Sequence, residues 1–325
     1  MKAIVYTKFG PPEVLQLTDI EKPEPNDTEV LIKVHATTVT AGDWRVRSLT
    51  LPRGFGFLGR LVFGISKPRQ PILGTELAGV IEAIGNNVKQ FKVGDRVFAF
   101  TGAKMGCYVE YKTMVENGPL VHMPDNLSFE EAAALSFGGT TGLHFFRQGN
   151  LQKGETVLIN GASGGVGTAM VQLAKHFGAT VTAVCSSANC ELVKSLGADY
   201  IIDYTKEDFT QNGRQYDIIV DTVGNASFSR SSGSLKPNGR LLLVSGTLAD
   251  IFKALWVSKT SDKKMLAGPA SENIEDLRTL ATLAAMGKFK PFIDKKYPLE
   301  NIVEAHRYVD MGHKRGNVVI TLDLQ

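Results

Sequence analysis

The run TVLINGASGGVG at 156–167 constrains the fold more than any other part of the chain, because an apolar strand enters a glycine-rich turn and leaves as a helix. Glycines let a backbone approach a pyrophosphate closely, and the helix start offers unpaired N–H groups and a positive dipole end. Gly164 and Gly167 fall on the second and third glycine positions of GxGxxG, with Ala162 at the first and Gly165 and Val166 between them. The alternation then continues regularly through TVTAVC, a helix ending LVKSLG, then YIIDY, YDIIVDTVG, RLLLVSG and KKMLAG. Short apolar strands separated by helices build a parallel sheet covered on both faces. We therefore expect a doubly wound, Rossmann-type dinucleotide-binding domain over 124–268.

The flanks read differently. KAIVY, EVLIKVHATTV, the run 77–84 and RVFAF are short β-segments separated by turn signals such as GPPE, KPEPND and GNN. Two helical segments and the strand NVVITL after Gly268 resemble this first texture, so 1–123 and 269–325 are expected to form one β-rich domain. With 325 residues the α/β chain is long enough for two domains. Thirty-six basic and 33 acidic residues are scattered without a stripe, which argues against nucleic acid as partner. Cys107, Cys185 and Cys190 have no framework spacing, and the MKAIVYTKFG start and the lack of long apolar runs suggest a cytoplasmic protein without membrane insertion.

An NAD site usually places an acid at the end of the second strand, on the ribose 2′-hydroxyl. Here AVCSSAN carries Ser186, Ser187 and Asn189 instead, neutral donors that tolerate a 2′-phosphate, so NADPH is the expected cofactor; the same residues also suit a helix start. Asp43, in TAGDWRVR, is either a site-organising carboxylate or a cap aspartate. The stretch 51–71, rich in Phe, Gly and basic residues, reads as a substrate-contacting loop or a packed surface loop. Cys107 is a redox thiol or, more simply, a small buried residue.

GPPEVLQL, TAGDWRVR, PILGTELAGVIEAIGNNVKQFKVGDRV, EEAAALSFGGTTGL, INGASGGVG, SLGADYIIDY, VDTVG and LKPNGRLLLVSG follow one another in this order. The chain thereby resembles the medium-chain dehydrogenase/reductase superfamily, in its zinc-independent quinone oxidoreductase and enone (alkenal) reductase branch, over essentially its whole length. The resemblance implies a GroES-like catalytic domain beside the Rossmann domain. It also implies that Thr141, the Gly164-Gly165-Val166 turn, Ser186 and Tyr204 hold the phosphates and adenosine, and that Val223, Gly224, Ser245 and Gly246 lie near the ribose and nicotinamide. Where zinc alcohol dehydrogenases carry GHE this chain has Gly74-Thr75-Glu76, so no metal is expected.

Two family features are absent. Asn317 stands after Gly316 where the family often has lysine, and RSLTLPRGFG lacks the tyrosine of enoyl thioester reductases. The expected function is reduction of quinones, enones or 2-alkenals by hydride from NADPH, with a hydrophobic electrophile as partner and, by resemblance, a homodimer joined along KKMLAG. A cofactor-binding sensor or scaffold with little turnover is the alternative, and a zinc alcohol dehydrogenase a weaker one.

Overall fold

A computed structural model describes residues 1–322; positions 323–325, the end of the expected 269–325 segment, lie outside the described residues. The chain divides into two compact units. The first comprises Met1–Leu51, Gly56–Phe137 and the stretch from Glu272 onward, and the second Pro52–Phe55 and Gly138–Ser271.

In the first unit the strands are β1 (Lys2–Val5), β2 (Gln16–Asp19), β3 (Glu29–Val39), β4 (Glu76–Ile84), β5 (Arg96–Phe100), β6 (Tyr111–Val115) and β7 (Leu120–His122). The second unit contributes β8 (Thr156–Asn160), β9 (Thr180–Cys185), β10 (Tyr200–Asp203), β11 (Tyr216–Asp221), β12 (Leu235–Leu243) and β13 (Lys264–Ala267). Back in the first unit, β14 (Ile293–Pro298) and β15 (Asn317–Thr321) complete the chain.

A seven-stranded sheet runs β14-β15-β3-β4-β5-β7, with β6 also on β3. β3 is its spine: EVLIKVHATTV is rich in β-branched residues, which fit a pleated surface, and most of its positions are buried. Antiparallel β15 joins it in the register Val318↔Val39, so the C-terminal strand buries Val318 and Ile320 among Ile32, Val34, Leu73 and Leu77. Residues 124–137 belong to this unit as well. Ser128 and Glu131 form a capping box on the helix Phe129–Ala133, and Lys296 and Lys290 pair with Glu130 and Glu131 at 2.6 and 2.8 Å. The change of texture at 124 marks the approach to this helix.

The second unit is the expected parallel sheet, in the order β10-β9-β8-β11-β12-β13. Counted from β8 this is 3-2-1-4-5-6, the Rossmann order, in which the parallel strand order reverses between β8 and β11. The middles of its inner strands are apolar because helices cover both faces, as the buried Leu158, Ile219, Leu241 and Val257 show. Among the described residues no helix is long and apolar enough to cross a membrane.

Candidate active site and cofactor cradle

The glycine turn follows β8 at the point where the sheet reverses. Gly161 takes φ +82°, and a Cβ there would meet Thr222 Oγ1 at 2.4 Å and Val223 Cγ2 at 2.6 Å. The tight-turn glycine is therefore Gly161, one residue before the Ala162 that the motif count selects; the Asn-Gly pair closing TVLIN is the signal that finds it. Gly167 starts the helix Gly165–His176 against the turn itself, with its missing Cβ only 2.1 Å from Gly161 O. A Cβ on Gly164, by contrast, would meet only Gly161 O at 3.7 Å, so space is left in front of the helix start.

Asp221, buried at the end of β11, shapes the opposite wall. Its carboxylate accepts from the backbone N–H of Val223, Gly224 and Ala226 at 3.0, 3.1 and 2.8 Å, and from Asn160 Nδ2 at 3.0 Å. One buried acid thus ties β8 to the turn carrying Val223 and Gly224. Ser245, after β12, donates to Thr222 O at 3.3 Å, and Gly246 follows it.

At the end of β9, Asn189 Nδ2 donates to Ser163 Oγ at 3.2 Å and to Ser186 Oγ at 3.1 Å, linking this strand end to the glycine turn. Among the described residues Asn189 Oδ1 is buried without a hydrogen-bond partner. Such an acceptor is costly unless a donor reaches it. The acid missing from β9 is found one strand over. Ser187 donates to Asp203, at the end of β10, whose carboxyl is held far below the usual carboxylate range by hydrogen bonds from Ser187 and Thr205. Lys206 lies 3.3 Å from the same carboxylate, and Tyr204, next to it in the chain, is exposed. Thr141 is buried in the helix Ser136–Gln148, of which Gly142 packs closely on Met170 and Leu173 of the glycine-turn helix.

The first unit holds a different kind of site. Thr40, Asp43, Thr75, Glu76 and Thr101 are all buried around the end of β3 and the start of β4. Asp43 Oδ2 accepts from Thr40 N at 2.7 Å and Thr40 Oγ1 at 2.6 Å, the capping box of the helix Ala41–Ser48, and its Oδ1 accepts from Gly74 N at 3.0 Å. Burial pushes Asp43 up to about 6 against these donors. Glu76 accepts from Thr38 Oγ1 and, at 2.6 Å, from Phe137 N, and burial raises it to about 8. Lys314, half-buried, feels the Glu76 charge; burial brings it down to about 8 and its Nζ donates to Gly316 O at 2.5 Å.

A second buried chain braces this site. Arg47 donates to Gly10 O at 3.1 Å and Asp310 Oδ2 at 2.6 Å, and its third contact is His306 Nδ1 at 3.0 Å. Burial and the Arg47 charge keep His306 neutral, so Nδ1 accepts and Nε2 carries the hydrogen toward Tyr108 Oη at 3.2 Å.

Two family models match the chain: the alcohol dehydrogenase GroES-like domain over residues 26–125 and the zinc-binding dehydrogenase over 196–320. The chain is 34% identical to 2-methylene-furan-3-one reductase of Solanum lycopersicum over 98% of this chain and 79% of the relative. The chain belongs to the medium-chain dehydrogenase/reductase superfamily. Its place is the quinone oxidoreductase and alkenal reductase branch. It is 31% identical to the chloroplastic NADPH-dependent alkenal/one oxidoreductase of Arabidopsis thaliana, over 98% of this chain and 79% of that one. The quinone oxidoreductase structure from Coxiella burnetii superposes with a TM-score of 0.86 at 32% identity, covering 99% of each chain.

Of the residues expected at the cofactor site, Gly164, Gly165, Val166, Ser186, Ser187, Asn189, Tyr204, Val223, Gly224, Ser245 and Gly246 occupy the turns and helix starts after the C-terminal ends of strands β8 to β12, and Thr141 lies in the same unit. Asn317 lies in the first unit, where its Nδ2 donates to Phe292 O at 3.1 Å. Asp221, Asp203 and Gly161 are the positions that sequence reasoning missed.

Proposed function

We propose that this superfamily member is an NADPH-dependent reductase that delivers hydride to quinones or to the activated carbon–carbon double bond of enones and 2-alkenals. The observation that carries the reading is the glycine turn at the sheet's reversal point, open in front of Gly164 and flanked by the unpaired Asn189 Oδ1. These groups fit a dinucleotide, with the Gly164-Gly165-Val166 helix start on the pyrophosphate and Asn189 on a ribose hydroxyl. NADPH, when bound, supplies the hydride. Ser186, Tyr204 and the exposed Lys206 suit a 2′-phosphate, and Asp203 is already engaged by Ser187, Thr205 and Lys206. The quinone and alkenal specificities of the named relatives support the acceptor class.

The donor set of the first unit suits zinc poorly. The hydroxyl of Thr75 replaces a ligand, and Glu76 is spent on Thr38 and Phe137. Among the described residues no cluster of three His, Cys, Asp or Glu side chains is arranged to hold a metal. Asp43 acts as a positioning residue, holding the Gly74-Thr75 turn against the start of its helix. A homodimer along β13 belongs to the same proposal, supported by the position of β13 at the edge of its sheet.

The test is depletion of NADPH and, in parallel, NADH by chelator-treated protein offered a quinone, an enone, a 2-alkenal and a saturated aldehyde. Faster use of NADPH with the conjugated acceptors is expected. Turnover of the saturated aldehyde alone, restored by zinc, contradicts the reading, and tight NADPH binding with no turnover returns the sensor alternative.

A further inference from the structure

The helix Gly56–Phe63, GFLGRLVF, is apolar yet faces outward: Phe57 is 74% exposed and Val62 58%, and Leu58, Leu61 and the following Ile65 are exposed as well. Scattered exposed apolar residues need no explanation, but five large ones within nine positions form the kind of patch that marks a contact surface. The segment is folded rather than loose. Phe63 packs on the first unit's core, Arg69 N donates to Phe63 O at 2.8 Å, and Gly64 N to Arg60 O at 3.0 Å. A Cβ on Gly59 would strike Leu51 Cδ1 at 1.9 Å, so the helix sits tightly on its support with the apolar side chains turned away.

Charge singles out what covers it. Between Asp43 and Glu76 there is no Asp or Glu, while Arg45, Arg47, Arg53, Arg60, Lys67 and Arg69 are all present. Arg60, Lys67 and Arg69 are exposed in the same excursion as the apolar patch. A second copy of this surface would set like charges against like, which disfavours self-pairing about a two-fold axis. A short apolar helix whose own segment carries cations and no acid matches instead a surface that is negatively charged outside and apolar beneath.

We propose that the helix Gly56–Phe63 and the turn to Arg69 form a docking surface for anionic lipid bilayers, on which Phe57, Leu58, Leu61, Val62 and Ile65 enter the interface and Arg60, Lys67 and Arg69 meet the headgroups. This goes beyond the reductase reading and does not depend on it. A single short patch gives reversible attachment, not insertion.

The whole protein is sedimented with vesicles of phosphatidylcholine alone and of phosphatidylcholine mixed with phosphatidylserine, at low and high salt. Binding to the anionic vesicles alone, weakened by salt, is expected. Phe57→Asp with Leu61→Asp should abolish it, and Arg60→Ser alone should weaken it about fivefold, the worth of one basic residue near such a surface. Thermal melts confirm that the variants stay folded, as exposed positions allow. No binding to either vesicle overturns the proposal, as does equal binding to both, or equal binding by the Asp variant. So does sedimentation equilibrium showing a dimer that the Asp variant dissolves, since a second copy then covers the patch.

Discussion

The cofactor cradle of the second unit is made largely of backbone, whereas the polar cluster of the first is made of side chains. At the glycine turn the requirements are conformational: a positive φ at Gly161, no Cβ at Gly167, open space at Gly164. Around Asp43 and Glu76 the requirements are electrostatic, because carboxyls buried from water must each find donors among threonines and N–H groups drawn from β3, β4 and the chain near Phe137. Backbone requirements leave residue types behind in one short run of sequence. Buried networks recruit residues hundreds of positions apart, as Arg47 does with His306 and Asp310.

The sharpest way to break this comparison is Arg47→Ala. It removes the charged donor to a buried neutral histidine and to an exposed aspartate, and should lower stability to urea by about 1.5–3 kcal/mol while leaving NADPH affinity of the folded fraction unchanged. Loss of affinity without loss of stability would show the two units to be coupled in a way this account lacks. The reciprocal change, Gly167→Val, forces atoms onto Gly161 O. A cost of about 1–3 kcal/mol is expected, with at least tenfold weaker NADPH binding by fluorescence titration.

A third prediction concerns pH. Burial raises Glu76 from 4.5 to about 8 in the fold, so folding favours its protonated form. The stability this gives is complete below the unfolded value and is lost as pH rises toward 8, with a slope of at most about 1.4 kcal/mol per pH unit. Glu76→Gln should flatten urea midpoints between pH 5 and 8; an unchanged slope places the titration elsewhere. The smallest effect is expected for Asn189→Ala, which removes one neutral acceptor and should weaken NADPH binding by about 0.5–1.5 kcal/mol.

This contrast also explains what could be read from sequence. The alternation of β8 to β13 with helices, and the turn after TVLIN, were legible because strand length, apolar runs and glycine spacing are local. Asp203 was not, because its relevance comes from β10 lying beside β9, a pairing that no local pattern states. Asp43 could be read either as a cap or as a site carboxylate, and the structure shows that one side chain serves the cap and the Gly74 turn together.

The central claim is direct hydride transfer to a conjugated acceptor, and isotope transfer tests it most closely. NADPH deuterated at its transferring carbon is consumed with an enone by chelator-treated protein, and the saturated ketone is examined by NMR. One deuterium at the β-carbon, with solvent hydrogen at the α-carbon, is the predicted result. An alcohol labelled at the carbonyl carbon, with the double bond intact, would contradict the account.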